Sequence, residues 1–205
     1  SDLGLKQLGL RPKDKVIFQL ESNQDLIPAF WGCFLGGFIP VPVSIPSSYD
    51  ESNSGLTKLQ NTWTLLGQPL ILTDKNLAPL VSGWSKRLNL GKLELQTIEE
   101  LRSSEVDKNW YNAQPEDIAI FLLTSGSTGV PKVVKQSHKN LLSCSAAAVQ
   151  INNLSSEEIS LNWFPLDHVG GIVLFHMRDV YLGCQQIHVP TQEILKAPTR
   201  WLKDR

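Results

Sequence analysis

Cysteine and long hydrophobic runs are both scarce in this chain of 205 residues. Its three cysteines, Cys33, Cys144 and Cys184, lie far apart and form no C-x-x-C pair. This pattern predicts reduced thiols in the core, not a disulfide framework or a zinc site. The most apolar stretch, residues 29–43, is broken by glycines and prolines. We therefore expect no membrane-spanning segment.

An excess of charge of one sign is missing as well. The chain has 19 Lys and Arg residues against 20 Asp and Glu residues, a formal net charge of −1. This balance provides no basic field for nucleic acid or for an anionic membrane, so we expect neither as a partner. No signal-peptide pattern is present at the start, which predicts a cytoplasmic protein. The hydrophobic content of 41% is typical of a globular domain with its own core.

Short apolar segments alternate with longer amphipathic ones along the chain. We predict strands at 15–20, 39–43, 70–73, 118–122, 159–164 and 185–189, and helices at 24–35, 54–66, 77–88, 138–152 and 170–181. This alternation is typical of an α/β fold with a largely parallel sheet flanked by helices. The polar stretch at 103–116 is the expected position of an internal linker.

The most distinctive segment is the run LTSGSTGVPK at residues 123–132. Glycines let the backbone approach a ligand closely, and free N–H groups in such a loop form an anion-binding concavity. Hydroxyl groups add short donors, and a lysine adds a positive charge suited to phosphate. The segment therefore predicts a polyphosphate cradle. Its candidate ligands are Thr124, Ser125, Gly126, Ser127, Thr128, Gly129 and Lys132.

This run differs from the familiar nucleotide-binding loops. A Walker A loop has four residues between its glycines and then Gly-Lys-Ser/Thr, whereas two residues separate Gly126 from Gly129 here. Lys132 follows Pro131 and precedes two valines, which favours extended backbone after the loop. A strand–loop–strand element is therefore expected, and a P-loop NTPase is disfavoured. An ordinary hairpin loop rich in small polar residues is the alternative.

A second informative segment is NWFPLDHVGG at residues 162–171. A predicted strand runs into a proline-containing turn, presents His168, and restarts as a helix after two glycines. Ligands usually bind at the ends of strands in α/β sheets, so this histidine is a candidate site residue. A helix-capping or packed histidine is the alternative. The remaining histidines have no such context and are expected to be structural or exposed: His138, His176 and His188.

The run at 124–132 resembles the T-S-G-S-T/S-G-x-P-K motif of the adenylate-forming enzymes and matches it at every defined position. This family includes acyl-CoA synthetases, fatty-acyl-AMP ligases and the adenylation domains of peptide and polyketide synthetases. The resemblance implies the N-terminal portion of the adenylate-forming fold. It also implies that the loop, with Lys132 as a catalytic residue, handles the β- and γ-phosphates of ATP–Mg²⁺ while a substrate carboxylate attacks the α-phosphate.

Residues 165–171 resemble the P-L-x-H-x-x-G stretch of acyl-CoA synthetases and fatty-acyl-AMP ligases. The resemblance implies that His168 acts catalytically by orienting or shielding the reacting carboxylate. It places Val169, Gly170 and Gly171 on the wall of the acyl pocket. Residues 30–46 are similar to the G-C-x-x-x-G-x-x-x-V-P-V stretch of fatty-acyl-AMP ligases and related synthetase loading domains, so this type is the expected nearest match.

The class of acid follows from a missing motif. Amino-acid-selecting adenylation domains carry F-D-x-S, whose Asp pairs with the α-ammonium group, and this chain has none. The place of that Asp falls near Gly170, and a buried ammonium without a partner carboxylate is strongly disfavoured. The resemblance therefore favours a fatty, aryl or α-keto acid. Asp167 keeps open the alternative of an amino-acid-activating domain of a peptide synthetase.

The resemblance covers nearly the whole chain but only part of a complete family member. Y-G-x-T-E and T-G-D are absent, and so is a C-terminal domain with its catalytic lysine. We therefore expect residues 1–205 to be a partial N-terminal adenylation (AMP-binding) domain, inactive alone. The intact enzyme would pass its acyl-AMP to a carrier-protein phosphopantetheine or to CoA. A non-catalytic nucleotide- or acyl-binding fragment and a scaffold segment with a vestigial loop are the alternatives.

Overall fold

Strands and helices alternate along residues 2–103, 109–124 and 131–197, which the computed structural model describes. The strands are β1 (Lys15–Gln19), β2 (Ile39–Pro42), β3 (Leu70–Thr73), β4 (Leu95–Thr97), β5 (Ile118–Thr124), β6 (Lys132–Ser137), β7 (Ile159–Asn162) and β8 (Gln185–His188). The α-helices are α1 (Asp2–Gln7), α2 (Asn23–Gly36), α3 (Ser54–Leu65), α4 (Ala78–Arg87), α5 (Ile98–Arg102), α6 (His138–Asn152), α7 (Arg178–Leu182) and α8 (Thr191–Lys196), with a π-helix at Gly170–Met177. The chain divides into two units, 1–136 and 137–205.

The first unit is built on a four-stranded parallel sheet with strand order β2-β1-β3-β4. The central strand β1 carries Val16, Ile17 and Phe18, which are at most 1% exposed. Such continuous apolar runs are typical of parallel strands, which helices cover on both faces. The core on one side of the sheet includes Leu59, Trp63, Ile71, Val81, Trp84 and Phe121. The prediction of an α/β fold with a largely parallel sheet is confirmed.

Local signals in the sequence explain where the helices of the first unit begin and end. The Ser22 hydroxyl accepts the Gln24 N–H at the start of α2, and Gly37 ends that helix in the left-handed region with φ of 75°. The ring of Tyr111 lies over Gly37, and a Cβ on this glycine would be only 2.4 Å from the ring. Position 37 therefore accepts only glycine.

Part of the expected linker lies against α2. The Tyr111 N–H donates to the carbonyl of Leu35 at 2.7 Å, and its hydroxyl donates to Asp117 at 3.0 Å. Lys13 forms an ion pair with the same carboxylate at 2.9 Å. Residues 109–117 are thus fixed to the first unit by the aromatic ring and by the Asp117 carboxylate.

The second unit contains a two-stranded parallel sheet, β7 and β8, with the π-helix and α7 in the connection between them. Helix α6 packs against both of these helical segments. It begins after Ser137, whose hydroxyl accepts the Asn140 N–H, and its bounds agree with the helix predicted at 138–152. Strand β7 is two residues shorter than predicted, since it ends at Asn162. The predicted helix at 170–181 is a π-helix followed by α7.

All three cysteines are free thiols, and Cys33 is buried. The prediction of three core thiols is confirmed for Cys33 and wrong for Cys144, which lies on an exposed position of α6, while Cys184 is only half-buried. Within the described ranges, no helix combines the length and apolar character needed to cross a bilayer.

Asp117 makes the stability of the first unit dependent on pH. The Gln114 N–H, Lys13 and the Tyr111 hydroxyl all stabilise its carboxylate, which lowers its pKa from 3.8 to about 2. A carboxyl group whose pKa is lower in the folded than in the unfolded state stabilises the fold when the pH lies above the unfolded-state pKa. This stabilisation is lost as the pH falls through the folded-state pKa. We expect Asp117→Asn to lower the thermal midpoint at neutral pH, with the difference from the wild type closing as the pH approaches 2.

The matched control is Glu51→Gln, which neutralises an exposed carboxylate in the same unit. It should leave the midpoint nearly unchanged at every pH. Thermal unfolding followed by circular dichroism measures both variants, and an Asp117→Asn difference that persists undiminished in acid would contradict the assignment.

Candidate active site

The predicted phosphate loop connects β5 to β6 in the first unit. Thr124, the last residue of β5, and Lys132, the first residue of β6, are both exposed. The other predicted ligands, Ser125, Gly126, Ser127, Thr128 and Gly129, lie outside the described residues. The two flanking strands pair with each other, so the strands predicted on both sides of this segment are confirmed.

The two lysines of β6 have different surroundings. The Lys135 ammonium lies over the buried ring of Phe121, 5.8 Å from its centroid, and makes a cation–π contact with this residue of β5. Lys132 is the first residue of β6, next to the predicted phosphate loop, and its side chain is exposed. A role of Lys132 in phosphate binding stays a prediction.

His168 lies on a tight turn between β7 and the π-helix of the second unit. Its N–H donates to the carbonyl of Pro165 at 3.2 Å, and its own carbonyl accepts the Ile172 N–H at 3.1 Å. These bonds fix the backbone on both sides of the histidine, and the side chain remains exposed. The next residue, Val169, is 41% exposed, whereas Gly170 and Gly171 are buried.

The two glycines have unequal roles in this turn. A Cβ on Gly171 would lie 2.2 Å from the Pro165 carbonyl oxygen and 2.8 Å from that of Phe164. No other side chain fits there, because both obstacles are backbone atoms. A Cβ on Gly170 would lie 3.3 Å from Nδ1 of His168, which is close but less severe. Gly171 thus lets the turn lie directly on the start of the helix.

The imidazole of His168 is oriented by the backbone. The Gly170 N–H donates to Nδ1 at 3.1 Å, so this nitrogen is the acceptor of the ring. In a neutral imidazole the other nitrogen then carries the proton. His168 therefore presents an Nε2–H donor, a group that can hold one oxygen of a carboxylate or a phosphate.

The π-helix is the element that the sequence did not reveal. Such helices are rare and occur frequently at functional sites, and this one begins at Gly170, directly after the histidine turn. The segment GGIVLFHM is almost entirely apolar, so apolar residues do not recur at a helical period along it. The pattern therefore cannot distinguish a π-helix from an α-helix. The two adjacent glycines were the one available signal.

A buried polar network fixes this helical region to β8. Arg178 donates to Asp179 through two nitrogens at 2.8 and 2.6 Å, and Gln186 donates to the other oxygen of Asp179 at 2.7 Å. The amide oxygen of Gln186 in turn contacts Nδ1 of His176, at 2.6 Å, and Nε2 of His188. Burial lowers the pKa of both imidazoles. Their predicted structural role is confirmed.

An apolar cavity of about 830 Å³ lies between β7, β8 and the helical segments of the second unit. Stacked rings form part of its wall: Trp163 on Phe164 at 4.6 Å and Phe164 on Phe175 at 5.5 Å. His168 does not line this cavity. The exposed face of the histidine turn and the cavity are therefore separate features.

The parallel α/β architecture, the strand–loop–strand element and the histidine turn define a fold shared with adenylation domains. The adenylation domain of a keto acid-selecting NRPS module, bound to keto acyl adenylate, matches with a TM-score of 0.93 and 42% identity over 98% of this chain and 36% of that chain. McyG A-PCP complexed with phenylalanyl-adenylate matches with a TM-score of 0.94 and 44% identity, with the same coverage of 98% and 36%.

More distant members share the fold. A fatty acyl-adenylate ligase from L. pneumophila, in complex with acyl adenylate and pyrophosphate, gives a TM-score of 0.84 at 27% identity, covering 99% of this chain and 34% of that one. The family described as AMP-binding enzyme matches residues 3–204. The chain belongs to this AMP-binding enzyme family.

Among curated relatives, atromentin synthetase greA of Suillus grevillei is 33% identical over 195 residues. The match covers 92% of this chain and 19% of the relative. The chain thus spans about a fifth of the length of the curated relatives that it matches.

The hydrogen bond to Nδ1 predicts the tautomer of His168. In the neutral ring we expect the Nε2–H form to dominate, because a proton on Nδ1 would face the Gly170 N–H. Long-range ¹H–¹⁵N correlation spectra of the imidazoles distinguish the two forms. A dominant Nδ1–H tautomer at position 168 would show that the bond to Gly170 is not formed in solution.

Proposed function

We propose that the protein activates a carboxylic acid as an acyl adenylate at the expense of ATP. The observation that carries this proposal is the exposed His168, whose Nδ1 accepts the Gly170 N–H so that Nε2 faces away from that bond as a donor. Membership of the AMP-binding enzyme family supports ATP as the second substrate. A nucleotide substrate of this kind also supports a cytoplasmic location.

The loop at residues 124–132 would bind the β- and γ-phosphates of ATP. Thr124, Ser125, Gly126, Ser127, Thr128 and Gly129 would supply hydroxyl and backbone N–H donors, and Lys132 the positive charge. Among the described residues, no group of His, Cys, Asp and Glu side chains is suited to a metal ion. Mg²⁺ would bind together with ATP, as the metal partner of its phosphates.

In the proposed reaction, a carboxylate oxygen attacks the α-phosphorus in line. The new bond joins acid and AMP, and the bond to pyrophosphate breaks. His168 would hold the second carboxylate oxygen through Nε2–H, while Val169, Gly170 and Gly171 line the wall beside the acid. Negative charge grows on the leaving pyrophosphate, where Lys132 and the loop donors would lower the barrier.

The surroundings of Gly170 support an acid without an α-amine. The atoms nearest to a Cβ at this position belong to His168 and to the ring of Phe164, and none of them is a carboxylate. The greater identity to a keto acid-selecting domain, 42%, than to a fatty acyl-adenylate ligase, 27%, favours an α-keto acid, with aryl and fatty acids next.

An amino acid is the second candidate substrate. The McyG structure, at 44% identity, contains phenylalanyl-adenylate, and Asp167 offers a nearby carboxylate in the same turn. The same structure joins an adenylation domain to a PCP domain. This arrangement favours a carrier-protein thiol over CoA as the acceptor of the acyl group.

An exchange assay on the complete gene product tests the acid class. Acid-dependent exchange of labelled pyrophosphate into ATP is measured with a panel of α-keto, aryl, fatty and amino acids. We expect the strongest exchange with an α-keto or aryl acid. Strong exchange with an amino acid alone would contradict the argument from Gly170, and no exchange with any acid would contradict the proposed activity.

Lys132 supplies a matched pair of variants, because β6 carries a second lysine outside the proposed site. Lys132→Ala should reduce exchange by about 100-fold to 1000-fold, the usual effect of removing one preorganised electrostatic contact. Lys135→Ala, which removes the lysine over Phe121, should retain most of the activity. Equal exchange rates in wild type and Lys132→Ala would remove Lys132 from the chemistry.

A further inference from the structure

One buried side chain outside the predicted site bonds to both segments that flank His168. Asn162 is the last residue of β7 and is 1% exposed. Its Nδ2 donates to the carbonyl of Gly171 at 3.0 Å, and its Oδ1 accepts the Phe164 N–H at 3.1 Å. One amide therefore joins the first residues of the turn to the first residues of the π-helix.

The backbone of the same residue adds a third attachment. Its carbonyl accepts the Val189 N–H at 3.0 Å, directly after β8. Asn162 is thus held by the sheet on one side, and its side chain extends that fixed point into the turn. A side chain anchored in this way can transmit the position of the sheet to the residues that follow it.

The chemistry of the contact requires an amide. One end must donate to a carbonyl and the other must accept from an N–H, which a primary amide does without any change of charge. An aspartate at position 162 could accept from Phe164 but would turn an oxygen toward the Gly171 carbonyl. A serine would be too short to bridge both groups. The site therefore distinguishes asparagine from its closest substitutes.

The Asn162 side chain bonds to the part of the turn where the backbone is most closely packed. Gly171 lies so close to the Pro165 carbonyl that a Cβ would be 2.2 Å away, and Pro165 accepts the N–H of His168. The side-chain amide of Asn162 is hydrogen-bonded to the Gly171 carbonyl through Nδ2 and to the Phe164 N–H through Oδ1. Loss of this bridge would let the turn lift from the helix, and the imidazole would move with it.

We propose that Asn162 is a positioning residue for acid activation, acting through His168. The proposal rests on the role of His168 under the proposed function. It assigns to a buried strand residue the task of setting where Nε2–H meets the carboxylate. Displacement of such a donor by about 1 Å can cost about 100-fold in rate.

The test is a double-mutant cycle in the complete gene product. Asn162→Asp, His168→Ala and the double variant are compared by acid-dependent pyrophosphate exchange. We expect Asn162→Asp to lower kcat/KM for the acid by about 10-fold to 100-fold, with KM for ATP unchanged. Because Asn162 acts through His168, the double variant should match His168→Ala within about twofold.

Two further variants separate positioning from simple loss of fold. Asn162→Ser removes the bridge without adding charge and should show the same split between acid and ATP. Asn53→Asp is the matched control in the first unit, since the Asn53 amide also donates to two carbonyls and accepts one backbone N–H. Asn53→Asp should retain acid-dependent pyrophosphate exchange at temperatures below its own unfolding midpoint.

The possible outcomes separate the positioning role of Asn162 from the proposed activation of an acid. Independent, multiplicative losses in the double variant would overturn the positioning role and leave the proposed function intact. A His168→Ala variant with wild-type exchange would overturn the roles of both residues. A wild-type protein without acid-dependent exchange would overturn the proposed function itself.

Discussion

The close approach of Gly171 to the carbonyl of Pro165 is the constraint on which the candidate site depends. The turn from β7 lies directly on the start of the π-helix, with no room for a Cβ between them. This contact determines where the chain reverses, and therefore where His168 emerges. It also brings the Gly170 N–H to Nδ1 of the imidazole, which makes Nε2 the donor. The ring of His168 is thus oriented by a backbone N–H of the same turn, so its orientation depends on how the turn is held.

Two sets of hydrogen bonds in the second unit hold the π-helix in place beside this turn. Asp179, 1% exposed, is held by Arg178 and Gln186, and Gln186 also contacts the buried His176 and the half-buried His188. This network ties the helical segment to β8, while Asn162 ties its beginning to β7. The π-helix is therefore fixed at both ends. One atom of this network, Nδ1 of His188, is buried without a hydrogen-bond partner among the described residues, whereas the bonded polar groups favour one arrangement over its alternatives.

Much of the fold could be predicted from the sequence, because its signals are local. Continuous apolar runs identified the parallel strands, and the predicted helices at 24–35 and 138–152 agree closely with α2 and α6, which Ser22 and Ser137 cap. The end of β7 could not be predicted, since it depends on a side-chain bond between Asn162 and the Phe164 N–H. The π-helix was also unpredictable, because its apolar segment carries no periodic polar face.

The candidate site was predicted in part, for the same reason. The resemblance identified the AMP-binding enzyme family correctly, and His168 is exposed at the end of its turn. The roles of Thr124, Lys132 and His168 remain predictions, and so do those of loop residues 125–129, which lie outside the described ranges. Asn162 carried no motif of its own, and its contribution depends on contacts that only the folded chain creates.

The most direct measurement is a comparison of Gly171→Ala with Gly83→Ala in the complete gene product. A Cβ on Gly83, within α4, meets nothing within 4 Å, so that variant should be neutral or slightly more stable. Gly171→Ala should lower stability by about 1–3 kcal/mol and abolish most acid-dependent pyrophosphate exchange below its unfolding transition. Wild-type stability and exchange in Gly171→Ala would contradict the account, because the turn would then not depend on this contact.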